Sequence, residues 1–142
     1  MPSTNEPRNF VFRRPFRRSL ALGWTVLLLG LCLMPARWFP NRETETVRSL
    51  RIPHLDKLIH VVLFAGFSVL WMAAGTAPRR WVGIAIAGVV LGLATEAFQS
   101  LPFIDRDSGL ADALANVLGT VVGIGLARYA ESRFRPLDGR IE

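Results

Sequence analysis

The run WVGIAIAGVVLGLATEAFQSL, Trp81 to Leu101, decides the fold class. It is 21 residues long, contains a single ionisable side chain, Glu96, and shows no period-two alternation. A helix rising about 1.5 Å per residue would cover a hydrocarbon core of about 30 Å with this length. Membrane-crossing strands instead need alternating segments of about 9 to 11 residues. Trp81 to Leu101 therefore reads as a transmembrane helix.

Three similar blocks flank it. The first runs from about Ser19 to Met34 and stops at Pro35, with Arg17, Arg18 and Trp38 placed to anchor a short span at its interfaces. Lys57 to Ala77 is closed by Pro78, Arg79 and Arg80, and the last block runs from about Gly109 to Tyr129. The expectation is an all-α polytopic membrane bundle of four helices, at about 19–34, 57–77, 81–101 and 109–129. Residues 1–18 form a basic tail, 19–130 the membrane domain and 131–142 a second tail. The stretch Asn41 to Leu50 is expected to add a helical turn or two at the membrane surface. A basic segment before the first block resembles a signal peptide, but no small-x-small site follows Met34, so this block is expected to be a retained anchor.

Composition agrees with a membrane location. Of 142 residues, 51% are hydrophobic and 20% charged, and mean hydropathy is +0.32, which argues against a disordered chain and a soluble enzyme. The net charge of +6 would suit nucleic acid in a soluble protein, but these cations sit between apolar blocks and no nucleic-acid-binding signature accompanies them. They serve topology and contact with anionic lipid instead. The single cysteine, Cys32, permits no internal disulfide.

The distribution of charge orients the bundle. With four spans, the side carrying both termini holds eleven basic residues, from Arg8, Arg13, Arg14, Arg17 and Arg18 through Arg79 and Arg80 to the carboxyl end. The other side holds six, diluted by Glu43, Glu45, Asp56, Asp105 and Asp107. Both termini are therefore expected in the cytoplasm. Asp56 and His60, Glu96 and Gln99, and Asp112 and Asn116 then all lie near the outer face, each pair spaced i, i+3 or i, i+4 on its helix. Gly88 and Gly92 continue the stripe on the third span, and Gly119 and Gly123 continue it on the fourth. Small residues at this spacing let helix backbones approach closely in lipid, so the polar groups are expected to meet inside the bundle.

Each polar residue has a plain structural role to set against a functional one. Asp56 can cap its helix, Lys57 can snorkel, and His60 can bond to backbone. Gln99, Asp112 and Asn116 can join helices without further purpose. Arg106 can be a solvated loop residue or a cationic lid over the pocket. Glu96 is the strongest functional candidate, because an ionisable group inside a span is costly and faces the bundle interior. Glu96, Asp112 and His60 could supply acid and base chemistry, but no catalytic motif, phosphate loop or metal motif is present. No metal or cofactor is expected.

Asp56-Lys57-Leu58-Ile59-His60, Glu96-Ala97-Phe98-Gln99, and Arg106 followed by Asp112-Ala113-Leu114-Ala115-Asn116 and Gly119 together resemble the signature of the VanZ-like family of small bacterial membrane proteins. The resemblance covers about Pro53 to Ala127. It implies a multi-pass protein of the bacterial inner membrane, a ligand site at Asp56, Lys57, His60, Glu96, Gln99, Arg106, Asp112 and Asn116, and a connection to teicoplanin sensitivity. The leading expectation is an outward-facing pocket that binds an envelope lipid, a lipid-linked cell-wall precursor or a lipoglycopeptide. The alternatives are an intramembrane enzyme acting on such a lipid and a small proton-coupled transporter. The ligand, the oligomeric state and any reaction remain open at this point.

Overall fold

A computed structural model describes residues 13–35, 55–102, 104 and 109–133. It contains four helices: α1 (Arg13–Cys32), α2 (Leu55–Ala74), α3 (Arg80–Gln99) and α4 (Leu110–Arg133). The secondary structure of the described residues is thus all helical. Three helices, α2, α3 and α4, are long and apolar enough to cross a membrane. α1 is as long as α2 but opens on Arg13, Arg14, Arg17 and Arg18, so only its later turns are apolar. The terminal tails at 1–12 and 134–142, the Asn41 to Leu50 stretch and Arg106 lie outside the described residues.

The helix ends depart from the limits of the apolar blocks for local reasons. α1 starts ahead of Ser19 because arginine is a good helix former and Pro15 falls in the first turn, where its missing N–H is harmless. α2 stops at Ala74, before Ala77, at Gly75, whose N–H bonds to the Trp71 carbonyl at 3.1 Å. α4 continues past Tyr129 to Arg133, which places a cation in its last turn.

Burial is inverted relative to a soluble protein. Leu58, Val62, Ile86, Val90, Leu93, Leu118 and Val121 are all exposed, whereas His60, Ser68, Thr95, Gln99, Asp112, Asn116 and Thr120 are buried. Hydrocarbon around the bundle accounts for both halves of this pattern. The apolar core is small: Leu28 and Cys32 of α1 meet Leu63, Phe64 and Phe67 of α2. Two indoles reinforce the α1–α2 seam. Trp24 Nε1 donates to the Leu63 carbonyl at 2.9 Å, and Trp71 Nε1 donates to Thr25 Oγ1 at 3.1 Å.

α4 packs most extensively on α2, and glycine sets their separation. A Cβ at Gly119 would collide with the Val61 carbonyl oxygen and stand 3.0 Å from Phe64 Cβ. At Gly123 it would collide with the Ala65 carbonyl oxygen and stand 2.8 Å from Ser68 Cβ. On the other seam Gly88 faces Thr120, and Gly92 faces Asn116 Cβ at 3.0 Å. All four stripe glycines therefore sit at helix contacts, as their spacing predicts, but on two different faces of the bundle.

The end opposite the polar pairs is held by arginine. Arg80 Nε donates to the Met72 carbonyl at 3.0 Å and its guanidinium pairs with Glu131, so one side chain links the end of α2, the start of α3 and the end of α4. Arg128 lies over the Trp81 ring at 5.7 Å.

Alanine at Gly119 or Gly123 forces α4 off the α2 backbone and should lower stability in detergent by about 1 to 3 kcal/mol. Gly125, with open space around its Cβ position, should accept alanine without loss. Gly75 should tolerate alanine better than the stripe glycines, because the nearest obstacle is the flexible Arg80 side chain. Thermal unfolding of the four variants checks the order, and equal midpoints would contradict it.

Candidate functional site

The site forms where α2 and α4 begin and α3 ends. Asp56 and His60 occupy the first two turns of α2, Asp112 and Asn116 the first two of α4, and Glu96 the last turn of α3. Because α4 is drawn in by its glycines, Asn116 reaches both neighbours. His60 Nδ1 and Asn116 Oδ1 are 2.8 Å apart, and Asn116 Nδ2 donates to Glu96 Oε1 at 3.2 Å. Three helices thus share one amide.

The chemistry of the amide fixes the directions of these bonds. A carboxylate can only accept, so the NH2 of Asn116 faces Glu96 and its oxygen faces His60. With the amide turned this way, the proton of the His60–Asn116 bond sits on Nδ1. His60 is 5% exposed and Asn116 is 1% exposed, so both bonds are shielded from water. Two hydroxyls beside them turn back to their own helices: Thr120 Oγ1 donates to the Asn116 carbonyl at 2.9 Å, and Thr95 Oγ1 to the Gly92 carbonyl at 2.8 Å.

A second set of charges lies at the rim. Lys57 Nζ bonds Asp56 Oδ2 at 2.9 Å and stands 3.4 Å from Asp112 Oδ1. The longer contact is an ion pair, and it is the one polar contact to Asp112 Oδ1 among the described residues, where this buried atom has no hydrogen bond of good geometry. Glu96 Oε2 is buried without a hydrogen-bond partner among the described residues. Asp56 is exposed and Asp112 is 8% exposed, so the pair runs from the surface inward.

The expected set is therefore largely brought together: Asp56, Lys57, His60, Glu96, Asp112 and Asn116 gather at one end. Gln99 behaves differently. Its Nε2 donates to the Cys32 carbonyl at 2.8 Å and ties the end of α3 to the end of α1, rather than joining the Glu96 cluster. Arg106 lies outside the described residues. Ser68, Thr95 and Thr120 are buried polar residues that the sequence pattern did not single out. Thr120 follows Asn116 by four residues, so the stripe on α4 carried that signal.

No known protein family, curated protein or solved structure matches the chain. Function is read from the chemistry of the site itself. Asn116 separates His60 from Glu96, and a carboxamide is a poor proton carrier, so the arrangement holds the two groups in place and does not pass a proton directly between them. Among the described residues no three His, Cys, Asp or Glu side chains converge as a metal site. Among the described residues, what the site offers a ligand is one acceptor without a hydrogen bond, Glu96 Oε2, and a second, Asp112 Oδ1, met only by Lys57 at 3.4 Å.

A double-mutant cycle on His60→Phe and Asn116→Leu measures the buried bond. The two changes should couple by about 0.6 to 1.7 kcal/mol, the range for hydrogen bonds between membrane helices. Strictly additive effects on stability in detergent would contradict the contact.

Proposed function

We propose that the chain is a four-span protein of the bacterial inner membrane, related to the VanZ-like type, whose outward-facing polar pocket binds the headgroup of an envelope lipid or lipid-linked precursor. Both termini are cytoplasmic in this reading, and occupancy of the pocket influences sensitivity to glycopeptides such as teicoplanin. One observation carries it: two buried carboxylate oxygens are poorly satisfied, Glu96 Oε2 with no hydrogen-bond partner among the described residues and Asp112 Oδ1 with only the Lys57 ammonium at 3.4 Å. An unfilled buried acceptor costs about 1 to 3 kcal/mol, more for a charged group, and a ligand that supplies donors recovers that loss.

The course of α1 supports the four-span part of the proposal. Arg17 Nη1 reaches the Ala73 carbonyl at the end of α2, at 3.4 Å, while Cys32 at the other end of α1 accepts from Gln99. α1 thus runs antiparallel to α2 along its length, with its arginines at the arginine-rich end. The basic asymmetry makes that end cytoplasmic, which turns the pocket outward.

Glu96→Gln and Asp112→Asn keep side-chain shape while removing charge, so a carboxylate present only for packing tolerates the change. In a strain whose lipoglycopeptide sensitivity depends on this protein, each variant should abolish the effect at unchanged membrane abundance. Glu131→Gln, at the opposite end, should retain it. An effect preserved in both pocket variants would contradict the proposal.

A further inference from the structure

We propose that the group this pocket takes is a primary ammonium. The inference rests on the reading that the pocket binds a headgroup, and it names the chemistry of that headgroup. Among the described residues this end of the bundle carries three carboxyls, Asp56, Glu96 and Asp112, and one lysine, Lys57, which contacts Asp56 and Asp112. His60 directs its Nδ1 proton to Asn116, so that proton is not available to either carboxylate. The described residues of the site therefore carry more carboxyls than cations, and at Asp112 the surroundings solvate the charge poorly.

The two oxygens left without a hydrogen bond of good geometry among the described residues set the form of the missing partner. Both accept only, so the partner must donate. An aprotic cation such as a quaternary ammonium would balance charge and leave both oxygens without hydrogen bonds. A single hydroxyl has one proton and serves one of them. A primary ammonium carries positive charge and three N–H donors, which suits two carboxylates on neighbouring helices.

Lys57 already shows the preference of this end of the bundle. Its ammonium sits between Asp56 and Asp112, bonded to the first and 3.4 Å from the second. The proposed ligand repeats this arrangement between Asp112 and Glu96, whose Oε2 has no hydrogen-bond partner among the described residues. Asp112 is 8% exposed, and its buried Oδ1, with only Lys57 at 3.4 Å, is shielded from water. The exterior of α2 and α4 carries exposed apolar residues such as Leu58, Val62, Leu114 and Leu118, so the bundle offers the chains of a lipid an apolar surface. The same ammonium chemistry could also arrive as a free amine from the aqueous side.

The full-length protein in nanodiscs of equal phosphatidylethanolamine, phosphatidylcholine and phosphatidylglycerol, with matched acyl chains, tests this by native mass spectrometry of retained lipid. Phosphatidylethanolamine should be retained about tenfold over phosphatidylcholine, whose headgroup has the charge but no N–H. Glu96→Gln or Asp112→Asn should remove the preference, and Glu131→Gln should not. Site-dependent binding of ethanolamine without any lipid preference would support the ammonium and assign its source to solution. Retention that depends on the site but is equal for all three headgroups, with no ethanolamine binding, would overturn the ammonium and leave headgroup binding standing. Retention indifferent to both pocket variants, with no ethanolamine binding, would overturn both. The wild-type comparison stands even if a variant misfolds, because no preference and no ethanolamine binding is by itself contrary to the proposal.

Discussion

Asn116 joins α2 through its amide oxygen and α3 through its amide nitrogen, and it reaches both only because α4 lies close to each. That closeness is set by atoms that are missing. Gly119 and Gly123 bring α4 against backbone carbonyls of α2, and Gly92 lets α3 come up to the Asn116 Cβ. In an apolar medium there is no hydrophobic force between helices, so close packing and interhelical hydrogen bonds have to supply the association. The glycines make the amide bonds possible, and the amide bonds give the glycine contacts their register.

The two ends of the bundle are built from opposite chemistry. At one end arginines close the helices: Arg80 ties α2, α3 and α4 together, and Arg17 reaches the last carbonyls of α2. Their donors are used on the protein. At the other end carboxylates predominate, and two of their buried oxygens have no hydrogen bond of good geometry among the described residues. The arginine end satisfies its polar groups, whereas the carboxylate end leaves some without a hydrogen bond among the described residues.

Much of this was legible in the sequence because hydrocarbon reverses the usual meaning of polarity. Long apolar blocks give helices, and the few polar residues inside them have to face one another, so His60, Glu96, Asp112 and Asn116 were recoverable from spacing alone. The start of α1 was not, since hydropathy stops at Ser19 while the helical preference of arginine carries the helix back to Arg13. Nor was the direction of Gln99. A spacing of three residues turns a side chain through about 300°, which leaves Gln99 about 60° around the helix from Glu96, enough to face α1 instead of α4. The buried threonines were hidden for another reason: their hydroxyls bond within their own helices, so they lie in the core without marking it as polar.

The meeting of three helices at one amide is the contact on which the arrangement of the site depends. Solid-state NMR of isotopically labelled protein in lipid bilayers addresses it directly, through correlations between the His60 imidazole and the Asn116 carboxamide. The account predicts a cross-peak consistent with a hydrogen bond from protonated Nδ1, together with a second from Asn116 Nδ2 to the Glu96 carboxyl carbon. Both absent from a folded, well-resolved sample would contradict it.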